Sequence, residues 1–154
     1  MADVEILGLQ QLTRLGLALK STGEGGLRRE LLKGLREAAK PMVREAKQAA
    51  RDRLPKAGGL NTRVAGEPIL IRNRLTGANV GVRIVTTTTD TRGPNRGVIR
   101  HPVFGHMDRW VTQPYPAAKG WFDQTLERAQ PEATKAIAEA VAKIWAELEL
   151  ATKL

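Results

Sequence analysis

An α+β fold is predicted by three observations. Apolar residues recur at three- and four-residue spacing towards both ends of the chain, a central stretch is rich in β-branched residues at an approximate period of two, and Gly- and Pro-rich segments separate the two textures. The 154 residues suffice for one domain, 1–154, with a real core, and are too few for two well-buried ones.

The elements follow in order. Within residues 1–20, Ile6, Leu9, Leu12, Leu15 and Leu19 mark one face of an N-terminal helix over Val4 to Leu19. Ser21-Thr22-Gly23-Glu24-Gly25-Gly26 ends it. Residues 27–54 place apolar or small side chains at 27, 31, 35, 38, 42, 46 and 49, which predicts a long second helix. Pro41 removes one backbone hydrogen bond, so that helix is expected to kink or divide near Lys40. Over 64–100 a small antiparallel sheet is predicted: strands from Glu67 to Arg74 and from Asn79 to Thr89 joined by the turn 75–79, a loop from Asp90 to Gly97, and a short third strand at Val98 to Arg100. Residues 101–118 read as an irregular Pro- and aromatic-rich loop containing Pro102, Pro114 and Pro116. Residues 119–150 read as a long C-terminal helix with Phe122, Leu126, Ala129, Ala133, Ile137, Ala140, Val141, Ile144 and Leu148 on its inner side, and with Pro131 as a kink or a second start.

Composition excludes several function classes. There is no cysteine, which removes disulfide scaffolds, thiol nucleophiles and thiolate zinc sites. Asp3 and Glu5 stand where a signal peptide carries positive charge, so none is expected, and there is no apolar run of membrane-spanning length. Aromatics make up only 4%, so the core is expected to be built from Leu, Val, Ile and Ala.

The net charge of +9 is unevenly distributed. Residues 27–53 hold nine basic and four acidic groups and residues 63–109 hold eight and three, whereas both ends are slightly negative. Within the second helix Arg29, Lys33, Arg36, Lys40, Arg44, Lys47 and Arg51 follow one another at three- or four-residue steps. At about 100° and 1.5 Å per residue they fill an arc of roughly 80° and a length of about 33 Å. Neighbouring like charges at these spacings cost a few tenths of a kcal/mol each, so an anionic counterpart is expected, either nucleic-acid phosphate or an acidic protein surface. The competing reading is a solvated face flanked by Glu30, Glu37, Glu45 and Asp52. The stripe lacks the interleaved aromatics of single-strand binders, and no sequence-reading DNA motif accompanies it.

Enzymatic signals are confined to His101, His106 and Asp108, which could hold a metal or form a base with an orienting carboxylate. Such a cluster is more often a packed, hydrogen-bonded structural loop, so no enzyme, metal or cofactor is expected. The Gly-rich segments have no phosphate-loop spacing and read as hinges. Trp110, Tyr115, Trp121 and Phe122 crowd beside the prolines; core or lid packing is the usual fate of such residues, and an oligomer interface would also use them.

Helix residues Arg44-Glu45-Ala46-Lys47 leading to Leu54-Pro55-Lys56-Ala57-Gly58-Gly59-Leu60, then His101-Pro102-Val103-Phe104-Gly105, Trp110, Gln113-Pro114-Tyr115-Pro116 and Gly120-Trp121-Phe122, form a recognisable succession. It resembles the head-tail connector and tail-completion proteins of long-tailed bacteriophages, particularly those of actinobacterial phages. Many of those proteins have an aromatic-Leu-Pro-Ala lead-in to the last helix; this chain has Tyr115-Pro116-Ala117-Ala118-Lys119-Gly120-Trp121-Phe122.

The resemblance implies a non-enzymatic subunit of a homo-oligomeric ring, commonly of six or twelve copies, in the virion neck or at the top of the tail. Its expected neighbours are adaptor and stopper proteins and a tail terminator or tail-tube protein, with genomic DNA in the channel and no membrane. The long segment after Asp90 is then the subunit-docking loop, with Arg92, Arg96, Arg100, His101, Phe104, Arg109, Trp110, Tyr115 and Trp121 as its contact residues. Alternatives are a small basic DNA-binding protein of chromosome-organising or regulatory type, a tail terminator, and a metal-dependent hydrolase built on His101 and His106.

Overall fold

Two long helices, α2 (Gly25–Arg53) and α5 (Asp123–Thr152), form the spine of the fold in a computed structural model that describes residues 3–6, 10–77 and 80–153. They run antiparallel. Glu30 near the start of α2 meets Lys143 late in α5, Gly34 lies against Ala140, and Arg53 at the end of α2 reaches Gly120 just before α5. Their seam is Leu31, Leu35, Ala39, Met42, Ala46 and Ala50 against Leu126, Ala133, Ile137, Val141, Ile144 and Leu148, all buried. Each large apolar side chain so buried contributes about 1.5–3 kcal/mol. Ala39 and Ala50 take the centre of the α2 seam, while Leu27, Ala38 and Ala49 lie at its margin.

Pro41 does not divide α2, nor Pro131 α5. Both side chains are exposed, so each ring sits on the solvent side of its helix and the packed seam opposite holds the helix together.

The fold is α+β, with two separate antiparallel sheets among the described residues. The first has the order β1 (Asp3–Ile6), β3 (Gly81–Thr86), β2 (Ile69–Arg74). Central β3 buries Val82, Ile84 and Val85 with both neighbours in place, and the sheet packs on α2. Asn73 of β2 donates to the Leu32 carbonyl at 3.1 Å, fixing sheet to helix. Helix α1 (Gln10–Thr22) buries Leu12, Leu15 and Leu19 and seats Gly16 directly on the Leu75 carbonyl, where an added Cβ would lie 2.2 Å from the oxygen.

Four sequence expectations change. The single helix over 1–20 is replaced by strand β1 and helix α1; Asp3–Ile6 instead pairs with Val82–Val85 of β3, and Leu9, expected on the helix, lies outside the described residues. A seven-residue helix α3 (Leu60–Gly66) precedes the sheet, overlapping the start of the 64–100 region. The Asp90–Gly97 loop contains a one-turn helix α4 (Arg92–Asn95). The irregular 101–118 loop is in large part a second sheet, β4 (Val98–Val103) paired with β5 (His106–Pro114), so the strand expected at 98–100 belongs to this hairpin and not to the central sheet. Its polar backbone groups are satisfied by pairing across the hairpin, which an irregular stretch of that length could not provide.

Candidate assembly and polyanion surfaces

The basic stripe survives folding. Arg29, Lys33, Arg36, Lys40, Arg44 and Arg51 are exposed and Lys47 is half-buried, while the buried seam of α2 faces away from them. Lys40 pairs with Glu37 at 2.6 Å; the other six form no ion pair with any described residue. Nearby Glu30 is drawn across to Lys143 of α5 at 2.8 Å, and its carboxyl is held below the ordinary value by that hydrogen bond and charge. The acid that flanks the stripe is thus partly committed to the helix seam. On α5 the acids Asp123, Glu127, Glu132, Glu139, Glu147 and Glu149 are interleaved with Arg128, Lys135 and Lys143 and form no continuous row.

The β4–β5 hairpin is an arm. Every residue of β5 is exposed, and two strands alone are marginal in water. Phe104 and Gly105 turn the chain with φ of 48° and 76°. A bulky residue rarely adopts that left-handed conformation, and here it presents a phenyl ring that is 96% exposed. Pairing jumps from Val103–His106 to Pro102–Trp110, leaving Met107, Asp108 and Arg109 as a bulge on β5. The Trp110 indole N–H donates to the Met107 carbonyl at 2.8 Å and closes the bulge, while the Arg100 guanidinium lies 5.5 Å over the indole.

The base of the arm is locked to α5 by residues that the sequence pattern does not single out. The Arg53 guanidinium donates to the carbonyls of Ala117 at 3.1 Å, Gly120 at 3.3 Å, and Lys119. The Asn95 side chain accepts from the backbone N–H of Phe122 at 3.1 Å and of Asp123 at 3.3 Å, and donates to the Asp123 carboxylate at 2.6 Å. Free N–H groups at the start of α5 are thereby satisfied from outside the helix. Gly120 N–H bonds the Asn95 carbonyl and Tyr115 N–H the Gly97 carbonyl, so α4, the arm and α5 share one junction.

The expected docking residues separate into three groups. Phe104, Arg109, Trp110 and Arg100 lie exposed on the arm, and Arg96 lines a groove of about 510 Å³ at its base with Arg63, Pro94 and Arg100. Arg92 is engaged by Asp90 at 2.9 Å, which holds the Asp90 carboxyl well below the usual carboxylate range. Trp121 is a correction: it is 0% exposed, packed edge-on to Phe122 at 5.3 Å, and Tyr115 is half-buried against the same core, so neither is a surface docking group. Paired aromatics beside a helix start pack inward because they carry the most apolar area available to close the seam.

His101 makes two hydrogen bonds, Nε2 with the Gln113 side-chain oxygen at 2.8 Å and Nδ1 with the Pro102 carbonyl at 3.1 Å. Both partners accept, so the doubly protonated ring is favoured and its pKa is raised above 6.5, first by Gln113. A raised folded value means that the arm gains stability below the ordinary histidine value and loses it as pH rises through the raised one. NMR titration should place the His101 midpoint above 6.5, and Gln113→Leu should return it towards that value. No group of three or more His, Asp or Glu residues suited to a metal exists among the described residues, and no helix among them is long and apolar enough to cross a membrane. Comparison with protein-family models, curated proteins and solved structures finds no match in any of the three.

Proposed function

We propose that this chain is a non-enzymatic structural subunit of a tailed-bacteriophage neck, assembling in the host cytoplasm as a homo-oligomeric ring that joins head to tail as a connector or tail-completion protein. The neck assignment rests on the succession from Leu54-Pro55 through His101-Pro102 to Trp121-Phe122 that resembles that family. The observation that carries assembly is the arm: its nine-residue strand β5 is exposed throughout, and its tip carries Phe104 and Met107, which are 96% and 70% exposed. Exposed Phe, Met, Trp and Arg together have the composition of an interface centre. A ring of six or twelve copies would meet adaptor or stopper proteins on one side and a terminator or tube protein on the other, with the α2 stripe turned to channel DNA or to an acidic neighbour.

Native mass spectrometry of the purified protein with its head and tail partners, together with electron microscopy of virions, tests this. A discrete multimer located at the neck is expected; a monomer absent from particles contradicts it. The seven-cation stripe also favours a second reading, a small duplex-DNA-binding protein outside the virion. That reading requires tight, steeply salt-dependent DNA binding by the isolated chain.

A further inference from the structure

The chemistry of the arm tip and of a groove on the far side of the molecule match. We infer that the tip of the β4–β5 arm seats between α1 and α5 of a second copy of this chain, making this the contact that propagates the ring; the inference rests on the ring reading above.

The tip offers apolar Phe104 and Met107 beside one acid and one base, Asp108 and Arg109, in the bulge. The groove, about 440 Å³, has Ala142, Ala146 and half-buried Trp145 as its apolar lining and Arg14 and Glu149 as its charged groups. Leu150, 66% exposed, continues the apolar surface at the next position of α5. Acid can therefore face base twice, Asp108 with Arg14 and Arg109 with Glu149, while the phenyl and thioether groups enter the lining. Each surface thus carries one acid and one base, so both pairs can be of opposite sign.

An arm cannot fill the groove of its own chain. Its base is fixed beside the start of α5 through Gly97–Tyr115 and Asn95–Asp123. At 1.5 Å per residue Trp145 lies about 33 Å along α5 from Asp123, whereas β4 extends only about 17–20 Å. The donor and acceptor surfaces are different parts of one chain, so their contact is heterologous and runs head to tail until it closes.

The absence of native cysteine makes the test clean. Met107→Cys and Ala146→Cys chains are made separately, mixed and mildly oxidised. A disulfide-linked pair should form in the mixture but in neither variant alone, and not when Met107→Cys is mixed with a Glu132→Cys chain. A chain carrying both cysteines should give a ladder ending at the ring number. Phe104→Asp, at an exposed position that leaves the core untouched, should weaken self-association about tenfold or more. If the Met107→Cys and Ala146→Cys chains form no mixed disulfide while the wild-type chain assembles, the arm contact is overturned and the ring is left standing. A chain that stays monomeric, with or without its neck partners, overturns both.

Discussion

Converting Arg36, Lys40 and Arg44 together to glutamate is expected to abolish the contact made by α2 while leaving the fold intact. Each reversal changes the charge by two, taking the net charge from +9 to +3. The three side chains are exposed, and the one ion pair removed, Lys40 with Glu37, is a surface pair. Far-UV dichroism and melting should therefore match the parent, with stability within about 0.5 kcal/mol. If the stripe lies on channel DNA, duplex binding falls and the slope of log K against log salt is reduced by about 0.9 for each phosphate that is no longer neutralised. If duplex binding is unchanged while incorporation into particles fails, the counterpart is an acidic protein. If both are unchanged, the stripe is a solvated face with no partner.

Trp121→Ala should produce the largest loss of stability in the chain, about 3–5 kcal/mol in denaturant unfolding, as for other large-to-alanine core substitutions. Trp121 is wholly buried, stacks edge-on against Phe122, and sits where Arg53 and Asn95 tie the arm to the start of α5. Its indole N–H has no hydrogen-bond partner among the described residues. Trp121→Phe keeps most of the ring volume and removes that unpaired donor, so it should cost much less than the alanine variant. Equal losses from the two substitutions would show that the ring does not pack as described.

The helical spine was legible because its pattern is local and repeated. Leu31, Leu35, Met42 and Ala46 on α2, and Leu126, Ala133, Ile137, Val141, Ile144 and Leu148 on α5, are buried as their spacing predicts, and the seven-cation stripe faces outward by the same periodicity. Strand β1 was not legible. Its partner β3 lies far along the chain, Asp3 opposite Val85, and Val4 and Ile6 satisfy a helical pattern with Leu9 as readily as a strand alternation.

The arm was hidden for the opposite reason. A strand with no buried face writes no alternation, and Pro102 and the Met107–Arg109 bulge break what remains. Of the residues expected on its surface, Phe104, Arg109 and Trp110 are exposed, whereas the apolar area of Trp121 and Tyr115 goes to the core. Arg53 and Asn95 were missed because their side chains reach partners from 27 to 67 residues away, mostly backbone groups, which no short window reveals.

A junction at Arg53, Asn95 and Gly120 fixes where the arm leaves the body. The central claim is that such chains close head to tail into a ring at the neck. It is tested most directly by cryo-electron microscopy of purified phage particles with the chain identified in the density. The expected result is a closed ring of this subunit between head and tail, with each arm tip seated on the α1–α5 groove of the next copy. Particles that lack the chain, from a protein that is monomeric in solution with its partners, would contradict it.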